Sequence, residues 1–484
     1  MYTLGTDIKP FKQLARKFEL KNASIKMTEG PLFKKIIVYT LPIIFSGILQ
    51  LMFNAVDLIV VGHFCGEISL AAVGATGSLI NLIVNVFIGL SVGGGITVAR
   101  ALGAGKTDEA KKAIHTLVPI AIISGLVLTA IGVPLSGFFL ELMDTPENVI
   151  GLSTTYMQIY FSGTVFSMLY NFGSAILRAT GDTQRPLIYL TIAGVANAVL
   201  NVFFITVFHM NVAGVALATM ISHAISAILI LINLIKRTDA CHFNFRKMRI
   251  DKTALKSIIH IGVPSGVASS FFSISNVLIQ SSVNSFGDIV MSGAAAASSL
   301  EGFVYTSLNS FMHTTQNFVS QNFGAKKFDR IKKTLFISVG TVTVTGIIMG
   351  SAVYLLGTPL LSIYIKDSAE AIEYGLIKLS FVCLFYFLCG IMESLSGAIR
   401  GLGSSLPPTI VSLLGACVFR VVWILTVFRI PKYHTLECIY VSYPISWILT
   451  ILAHSVTFAI IYKKKKRAYE AELAKQEVPA YDAK

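Results

Sequence analysis

The chain has 484 residues, of which 54% are hydrophobic and only 13% are charged. Soluble domains carry roughly 25% charged residues, so this composition excludes an ordinary soluble protein and indicates one covered by lipid. The 39 Lys and Arg residues outnumber the 25 Asp and Glu residues, and the positions of these cations decide what the excess means.

Twelve apolar segments follow one another along the chain, each near the ~20 residues that a helix needs to cross a bilayer. Their first residues are, in order, Ile36, Leu70, Ala113, Leu152, Leu187, Val212, Ser257, Val290, Thr334, Ala371, Thr409 and Leu436. The segments predict an all-α membrane protein with twelve transmembrane helices.

Almost all the Lys and Arg residues lie in the two terminal tails or in the even-numbered connections. The exceptions are Lys366, Lys378, Arg420, Arg429 and Lys432. This bias predicts a multi-pass protein of the plasma membrane with both termini in the cytoplasm. The basic excess therefore indicates topology and contact with anionic lipid, and not binding to nucleic acid. Residues 1–35 are polar and basic, so we expect no cleavable signal peptide.

The second half of the chain repeats the first at a spacing of 222 residues. The pairs that keep this spacing are Pro42 and Pro264, Asn54 and Asn276, Arg178 and Arg400, Gly181 and Gly403, and Pro186 and Pro408. Because each half holds six spans, the repeat predicts two pseudo-symmetric six-helix lobes in parallel orientation, with a substrate site near mid-membrane between them. Duplicated bundles also occur in channels, but Pro and Gly inside the spans favour a transporter.

The repeat and the charge pattern together predict the domain bounds. The N-lobe covers 36–236 and the C-lobe covers 257–462, joined by a cytoplasmic inter-lobe loop at 237–256. Cytoplasmic tails cover 1–35 and 463–484.

One carboxylate and several amides lie within the N-lobe spans. Asn54 and Asp57 share a helix face with Gln50 in the first span. A carboxylate in hydrocarbon is a functional candidate by default, and burial favours its protonated form. We expect Asp57, Asn54, Asn197 and Asn201 to form an ion-coupling site, with Gln50 and Asn85 as substrate-cavity candidates. The alternative is an Asp that only packs helices together.

The C-lobe spans carry a different polar set. Its substrate-cavity candidates are Asn276 and Gln280 in the seventh span, Glu301, Tyr305 and His313 in the eighth, and Glu393 in the tenth. A carboxylate on a cavity wall would attract a cation or carry a second proton. Two alternatives stay open: Glu393 pairs with Arg400 or bonds another helix, and His313 is a satisfied core histidine. We expect Arg420 to neutralise a nearby acid.

The sequence lacks the signatures of enzymes. It has no Gly-x-x-x-x-Gly-Lys-Ser/Thr loop for ATP, no recognisable Ser/His/Asp set, and six cysteines without the spacing of a disulfide framework or a metal site. We therefore expect no enzyme, no cofactor and no metal, with an ion gradient as the energy source.

Several stretches together resemble one transporter family. Residues 41–62, 175–186, 212–219, 280–287 and 397–403 are similar to the multidrug and toxic compound extrusion (MATE) family, within the multidrug/oligosaccharidyl-lipid/polysaccharide flippase superfamily. The resemblance implies two six-helix lobes in a V that opens alternately to either side, and export of cationic or amphipathic compounds in exchange for protons or sodium. Asp57 falls on the family's first-helix acid, and Asn197 falls on its fifth-helix Asn.

Two departures from the family bear on the coupling ion. Asn201 stands where members with an N-lobe proton site often carry Asp. Phe272 and Cys389 stand where the sodium-coupled branch carries acids. The first departure removes an acid from the proton-coupled pattern, while the second makes a C-lobe sodium site doubtful and so favours protons over sodium.

The leading hypothesis is a secondary active exporter of organic cations, driven by proton antiport and acting as a monomer in the bilayer. A sodium-coupled antiporter of the same family is one alternative. A lipid-linked glycan flippase is another, although it would need a basic cavity for phosphate. A channel or a receptor-like scaffold is a third.

Overall fold

The computed structural model describes residues 24–365 and 368–477, with side chains as far as Ala474. Within these ranges every regular element is a helix. The first half contains α1 (Leu32–Cys65), α2 (Glu67–Gly103), α3 (Thr107–Glu141), α4 (Glu147–Ser162 continued by Thr164–Ala179), α5 (Gln184–Thr206) and α6 (Asn211–Lys236). The second half contains α7 (Lys252–Asn284), α8 (Asp288–Gly324), α9 (Phe328–Leu355), α10 (Ala369–Val382 continued by Tyr386–Gly401), α11 (Leu406–Leu425) and α12 (Leu436–Glu477).

Each of the twelve predicted segment starts falls inside a different helix. Helices are the expected solution because lipid offers no partner for a free backbone N–H or C=O group. Among the described residues nine helices are long and apolar enough to span a bilayer, and the two parts of α10, bent by 44°, make a tenth. Parts of the predicted tails, residues 1–23 and 478–484, and Lys366 lie outside the described residues.

The helices α4 and α8 fall short of that test for different reasons. Helix α4 is interrupted at Gly163, which leaves two shorter pieces. Helix α8 is long but carries buried polar side chains, among them Gln316 and Asn322. Both helices contribute side chains to the hydrophobic cores of their lobes.

Two hydrophobic cores divide the molecule into lobes. One core, which includes Leu117 and Phe161, takes its side chains almost entirely from α1–α6. The other, which includes Phe311 and Trp447, takes them from α7–α12. The predicted two-lobe architecture is confirmed, while the residue bounds proposed for the lobes stay a prediction.

The lobes meet along one half of α2 and α7. Gly89 and Gly93 lie directly against the backbone of Gly262 and Gly266, so that a Cβ atom on either α2 residue would overlap α7. Small residues permit such close helix approach in membranes. Farther along α2, a Cβ on Gly77 would meet no atom within 4 Å. The close backbone contact between the lobes therefore lies in the half of α2 that ends at Gly103, and we call this the closed end.

The closed end is also where the basic loops converge, and we call it the basic end. The two lobes contact each other at this end: the Gln321 side chain of the C-lobe donates to the Ala179 carbonyl of the N-lobe (2.7 Å), and Arg100 of the N-lobe lies over the Phe323 ring of the C-lobe at 5.6 Å. The inter-lobe loop packs there as well, since the Asn244 N–H donates to His115 Nε2 (3.2 Å).

Residues 24–31, which precede α1, form a strap across the basic end. The Ile25 N–H donates to the Gly181 carbonyl of the N-lobe (3.1 Å). The Arg330 guanidinium of the C-lobe donates to the Met27 carbonyl (3.1 Å), and Lys327 donates to the Thr28 carbonyl (3.0 Å). The strap therefore ties the two lobes together at the end where they touch.

Candidate substrate and ion-coupling site

Asp57 lies on α1 about 12 Å along the helix axis from its end at Cys65. Its side chain is 8% exposed and accepts hydrogen bonds from Asn201 Nδ2 (2.5 Å) and Thr219 Oγ1 (3.4 Å). Asn197 completes the group, since its Nδ2 donates to Thr219 Oγ1 (3.3 Å) and its Oδ1 accepts from Asn201 (3.3 Å). We call Asp57, Asn197, Asn201 and Thr219 the Asp57 cluster.

All the hydrogen-bond donors to Asp57 are neutral. Among the described residues no Lys, Arg or His nitrogen lies within 4 Å of its carboxylate. Burying a carboxylate without a cation costs free energy, and protonation relieves that cost. Thr219 is a hydroxyl, which can donate to an ionised Asp57 or accept from a protonated one. The cluster can therefore hold the acid in both states.

A cavity of about 400 Å³ lies beside the Asp57 cluster. Five of the predicted site residues line it: Gln50, Asn54, Asp57, Asn197 and His313. Most of its wall belongs to the N-lobe, while His313 and its neighbours on α8 close it from the C-lobe. Asn201 lies behind the wall, fully buried, and bonds two lining residues, Asp57 and Asn197.

The other predicted cavity residues lie elsewhere. Those outside the cavity wall are Asn85, Asn276, Gln280, Glu301, Tyr305 and Glu393. Gln280 donates to Asn284 on its own helix (2.9 Å), and the Tyr305 ring lies 6.3 Å from the ring of Tyr386 on α10. Helical spacing placed these residues on common faces, but the direction of each face depends on how the helices pack.

The Glu301 carboxylate has two partners, a lysine and a tyrosine. Its Oε2 lies 3.1 Å from the Lys378 ammonium, and its Oε1 accepts from the Tyr386 hydroxyl (2.8 Å). Lys378, on α10, is itself buried and also bonds Ser298. Lys378 therefore neutralises Glu301, and the carboxylate that was expected to attract a cation is already paired with one.

Arg420 does not neutralise an acid, contrary to the prediction. Its Nε donates to Ser446 Oγ (2.9 Å), and its guanidinium lies 4.0 Å from the centre of the Tyr443 ring. In the described part of the chain no carboxylate approaches it within 4 Å. An aromatic face attracts a cation through its quadrupole, so aromatic rings stabilise the Arg420 charge where a carboxylate was expected.

The alternative pairing of Glu393 with Arg400 is likewise absent: among the described residues these two side chains do not come within 4 Å of each other.

Several cavity residues escaped the sequence reasoning. They are Tyr156, Tyr160, Asn171, Arg178, His223, Gln316 and Asn317, together with Thr219 behind Asp57. Two of them lie in stretches that carry the family resemblance: Arg178 in 175–186 and Thr219 in 212–219. Tyr and Asn side chains in a long apolar segment give no such sign, because most of them only pack.

Comparison with known proteins decides the family. The MatE family model matches this chain twice, over residues 42–203 and 264–426. The chain belongs to the MatE family. The two matches begin at Pro42 and Pro264, the prolines from which the internal repeat is counted. It is a family of membrane transporters, which carry small molecules.

Relatives and solved structures agree with this assignment. The chain is 26% identical to the probable multidrug resistance protein YoeA of Bacillus subtilis, over 91% of this chain and 96% of YoeA. It is 21% identical to the multidrug export protein MepA of Staphylococcus aureus, over 82% and 88%. An outward-facing MATE transporter superposes with a TM-score of 0.85 at 19% identity, covering 92% of this chain and 99% of that one. The structural likeness confirms the MATE fold.

Proposed function

We propose that this MatE protein exports cationic or amphipathic small molecules in exchange for protons, by alternating access between its two lobes. Its relatives YoeA and MepA are named multidrug resistance and multidrug export proteins, which supports the substrate class. The observation that carries the coupling proposal is Asp57, a buried carboxylate on the cavity wall with neutral hydrogen-bond donors only.

The Asp57 cluster supports proton binding at a defined place. The ionised acid is held by Asn201 and Thr219. Asn201 Oδ1 is buried without a hydrogen-bond partner, so a half-turn of this amide would let it accept the proton of a protonated Asp57. Asp57 therefore has hydrogen-bond donors beside it when it is ionised and an acceptor beside it when it is protonated. It can gain and lose a proton without leaving its site.

Proton exchange then drives export in four steps. An ionised Asp57 attracts a cation into the cavity from the cytoplasm. The lobes rock and the cavity opens outward, where Asp57 takes a proton and releases the cation. The protonated form returns inward and loses its proton to the less acidic cytoplasm. The cycle moves one proton in for each cation that leaves.

The cavity fits a compact organic cation. Its volume of about 400 Å³ lies within the roughly 300–1,000 Å³ of small-molecule sites. Tyr156 and Tyr160 line it and offer ring faces to a cation. A roomy cavity with aromatic ring faces and one carboxylate selects a ligand by its charge and size. It does not require a fixed pattern of hydrogen bonds.

Sodium coupling stays the alternative. The same cluster presents oxygens of Asp57, Asn197 and Thr219 within a short distance of one another, and oxygens are the ligands that hard cations prefer. In the C-lobe, however, Phe272 and Cys389 stand where the sodium-coupled branch of the family carries acids, so a C-lobe sodium site would lack these carboxylates.

We further propose a monomer in the plasma membrane with the basic end in the cytoplasm, following the positive-inside bias.

The proposal is tested by transport of a fluorescent organic cation in proteoliposomes, with proton and sodium gradients imposed separately. We expect a proton gradient to drive transport and Asp57→Asn to abolish the driven component. Asp144→Asn is the matched control, because Asp144 is an exposed loop residue with φ of 52°, a conformation that Asn also adopts. Full proton-driven transport by Asp57→Asn would refute proton coupling at this site, and transport that responds to sodium alone would replace it.

A further inference from the structure

A second cavity, separate from the one beside Asp57, opens at the basic end. Its volume is about 620 Å³ and both lobes line it, from α2, α3, α7 and α8. None of its lining residues belongs to the cavity beside Asp57. Six charged side chains line it: Arg100, Lys106, Lys112, Lys326, Glu109 and Asp251. We call this cavity the basic pocket.

The carboxylates of the basic pocket are already engaged. Glu109 pairs with Lys106 at 2.8 Å. Asp251 caps α7 by accepting from the N–H groups of Thr253 (3.0 Å) and Ala254 (2.9 Å). Within the described residues no carboxylate lies within 4 Å of Arg100 or Lys112. Two cations on the wall are therefore available to an anion.

Arg100 has a specific need for an acceptor. Its Nε and Nη2 atoms are buried and make no hydrogen bond. A buried donor without a partner costs about 1–3 kcal/mol or more when charged. The Phe323 ring lies 5.6 Å from the guanidinium and holds it in place, but a ring face does not satisfy N–H groups. The guanidinium fork matches the oxygens of a phosphate.

We propose that the basic pocket binds a phosphate-bearing anion, with Arg100 and Lys112 as its principal ligands. The anion is the headgroup of an acidic phospholipid or a soluble phosphate ester, since both present the same group. Basic pockets between helices on the cytoplasmic side suit acidic headgroups. Because both lobes line the pocket, a bound anion stabilises the arrangement in which the basic end is closed.

The test is direct binding to the purified full-length chain. Native mass spectrometry would measure the affinity for phosphatidylglycerol, with phosphatidylcholine for comparison, and calorimetry would measure the affinity for glycerol 3-phosphate. We expect Arg100→Gln and Lys112→Gln each to weaken binding about fivefold. Lys111→Gln is the matched control, because Lys111 is exposed on the same helix and lies outside the pocket.

The two arms separate the two sources. Tighter binding of phosphatidylglycerol than phosphatidylcholine, lost in Lys112→Gln, assigns the pocket to lipid. Binding of glycerol 3-phosphate with the same sensitivity and no lipid preference assigns it to a soluble ester. Equal affinities in Lys111→Gln, Lys112→Gln and the unchanged chain, in both arms, would overturn the proposal. Lys112 is exposed, so its variant remains informative even if Arg100→Gln fails to fold.

Discussion

At the residue scale, the site depends on which polar side chains meet a given carboxylate. Asp57 meets one amide and one hydroxyl, whereas Glu301 meets an ammonium and a phenol. An acid without a counter-charge can exchange its proton as its surroundings change. The two carboxylates therefore have different surroundings, although both lie within the helix bundle.

Thr219→Val should move the pH dependence of transport. Removing the hydroxyl takes away a donor to the ionised form of Asp57, so protonation becomes easier. We expect the midpoint of the pH–transport curve to shift to higher pH by about one unit, since hydrogen bonds to charged groups contribute about 1.5–3 kcal/mol and one unit corresponds to about 1.4 kcal/mol. Transport at a series of pH values in proteoliposomes measures this shift.

Thr206→Val is the control for that change. The Thr206 hydroxyl is exposed and donates only to the Val202 carbonyl of its own helix (2.7 Å). An unchanged pH midpoint in Thr219→Val, or an equal shift in Thr206→Val, would contradict the role given to Thr219.

The Glu301–Lys378 pair should show strong coupling in stability. Lys378→Gln leaves a buried carboxylate without its cation, which typically costs about 3–5 kcal/mol. The double variant Glu301→Gln with Lys378→Gln removes both charges and should be less destabilised than Lys378→Gln alone. Thermal unfolding of the purified variants measures the difference. Additive losses in the double variant would mean that the two side chains do not interact.

At the element scale, the positions of several helices depend on glycines, which have no side chain. Gly89 and Gly93 let α2 approach the backbone of α7, and the break at Gly163 divides α4. Lipid tails are as apolar as the helix surfaces, so close packing and hydrogen bonds, and not burial from water, hold such helices together. A single added side chain at the contact should therefore be costly.

Gly89→Val tests the contact between α2 and α7. The new side chain would overlap the backbone of Gly266, and overpacking of this kind costs about 1–3 kcal/mol. We expect a lower midpoint of thermal unfolding. Gly77→Val, on the same helix, meets no atom within 4 Å of its Cβ and should change the midpoint little. Equal effects of the two substitutions would count against close packing at this contact.

At the scale of the whole molecule, the contacts between the lobes that involve the basic loops gather at the basic end of the described structure. The contact of α2 with α7, the strap at 24–31 and the basic pocket all lie in that half of the molecule. In the proposed alternating-access cycle this end would open, and each of these contacts would then break. Their combined strength sets how long the basic end stays closed.

Arg330→Gln should loosen the strap. The Arg330 guanidinium donates to the carbonyls of Met27, Glu29 and Gly30 at 3.0–3.2 Å. Losing the equivalent of one charged hydrogen bond, about 1.5 kcal/mol, corresponds to roughly tenfold faster amide exchange in the strap. Hydrogen exchange with mass spectrometry measures this rate. The control is Arg249→Gln, an exposed arginine of the inter-lobe loop, and an unchanged rate in Arg330→Gln would show that the strap is held by other contacts.

The sequence by itself determined the class, the helix positions and the duplication of this protein. Composition, the length of apolar segments and the spacing of Pro42 and Pro264 are local quantities that need no knowledge of packing. Asp57 was also found this way, because a carboxylate in an apolar helix stands out in any arrangement. The charge bias predicted the sidedness, which transport and labelling experiments would test.

Only the tertiary structure decided which side chains meet. Thr219 bonds Asp57 across 162 positions of the chain, Lys378 reaches Glu301 across 77, and Arg420 rests on an aromatic ring where an acid was expected. Helical periodicity assigns residues to a face but not to a neighbour. The neighbour depends on how the helices rotate and cross, and that is fixed by close packing among all of them at once.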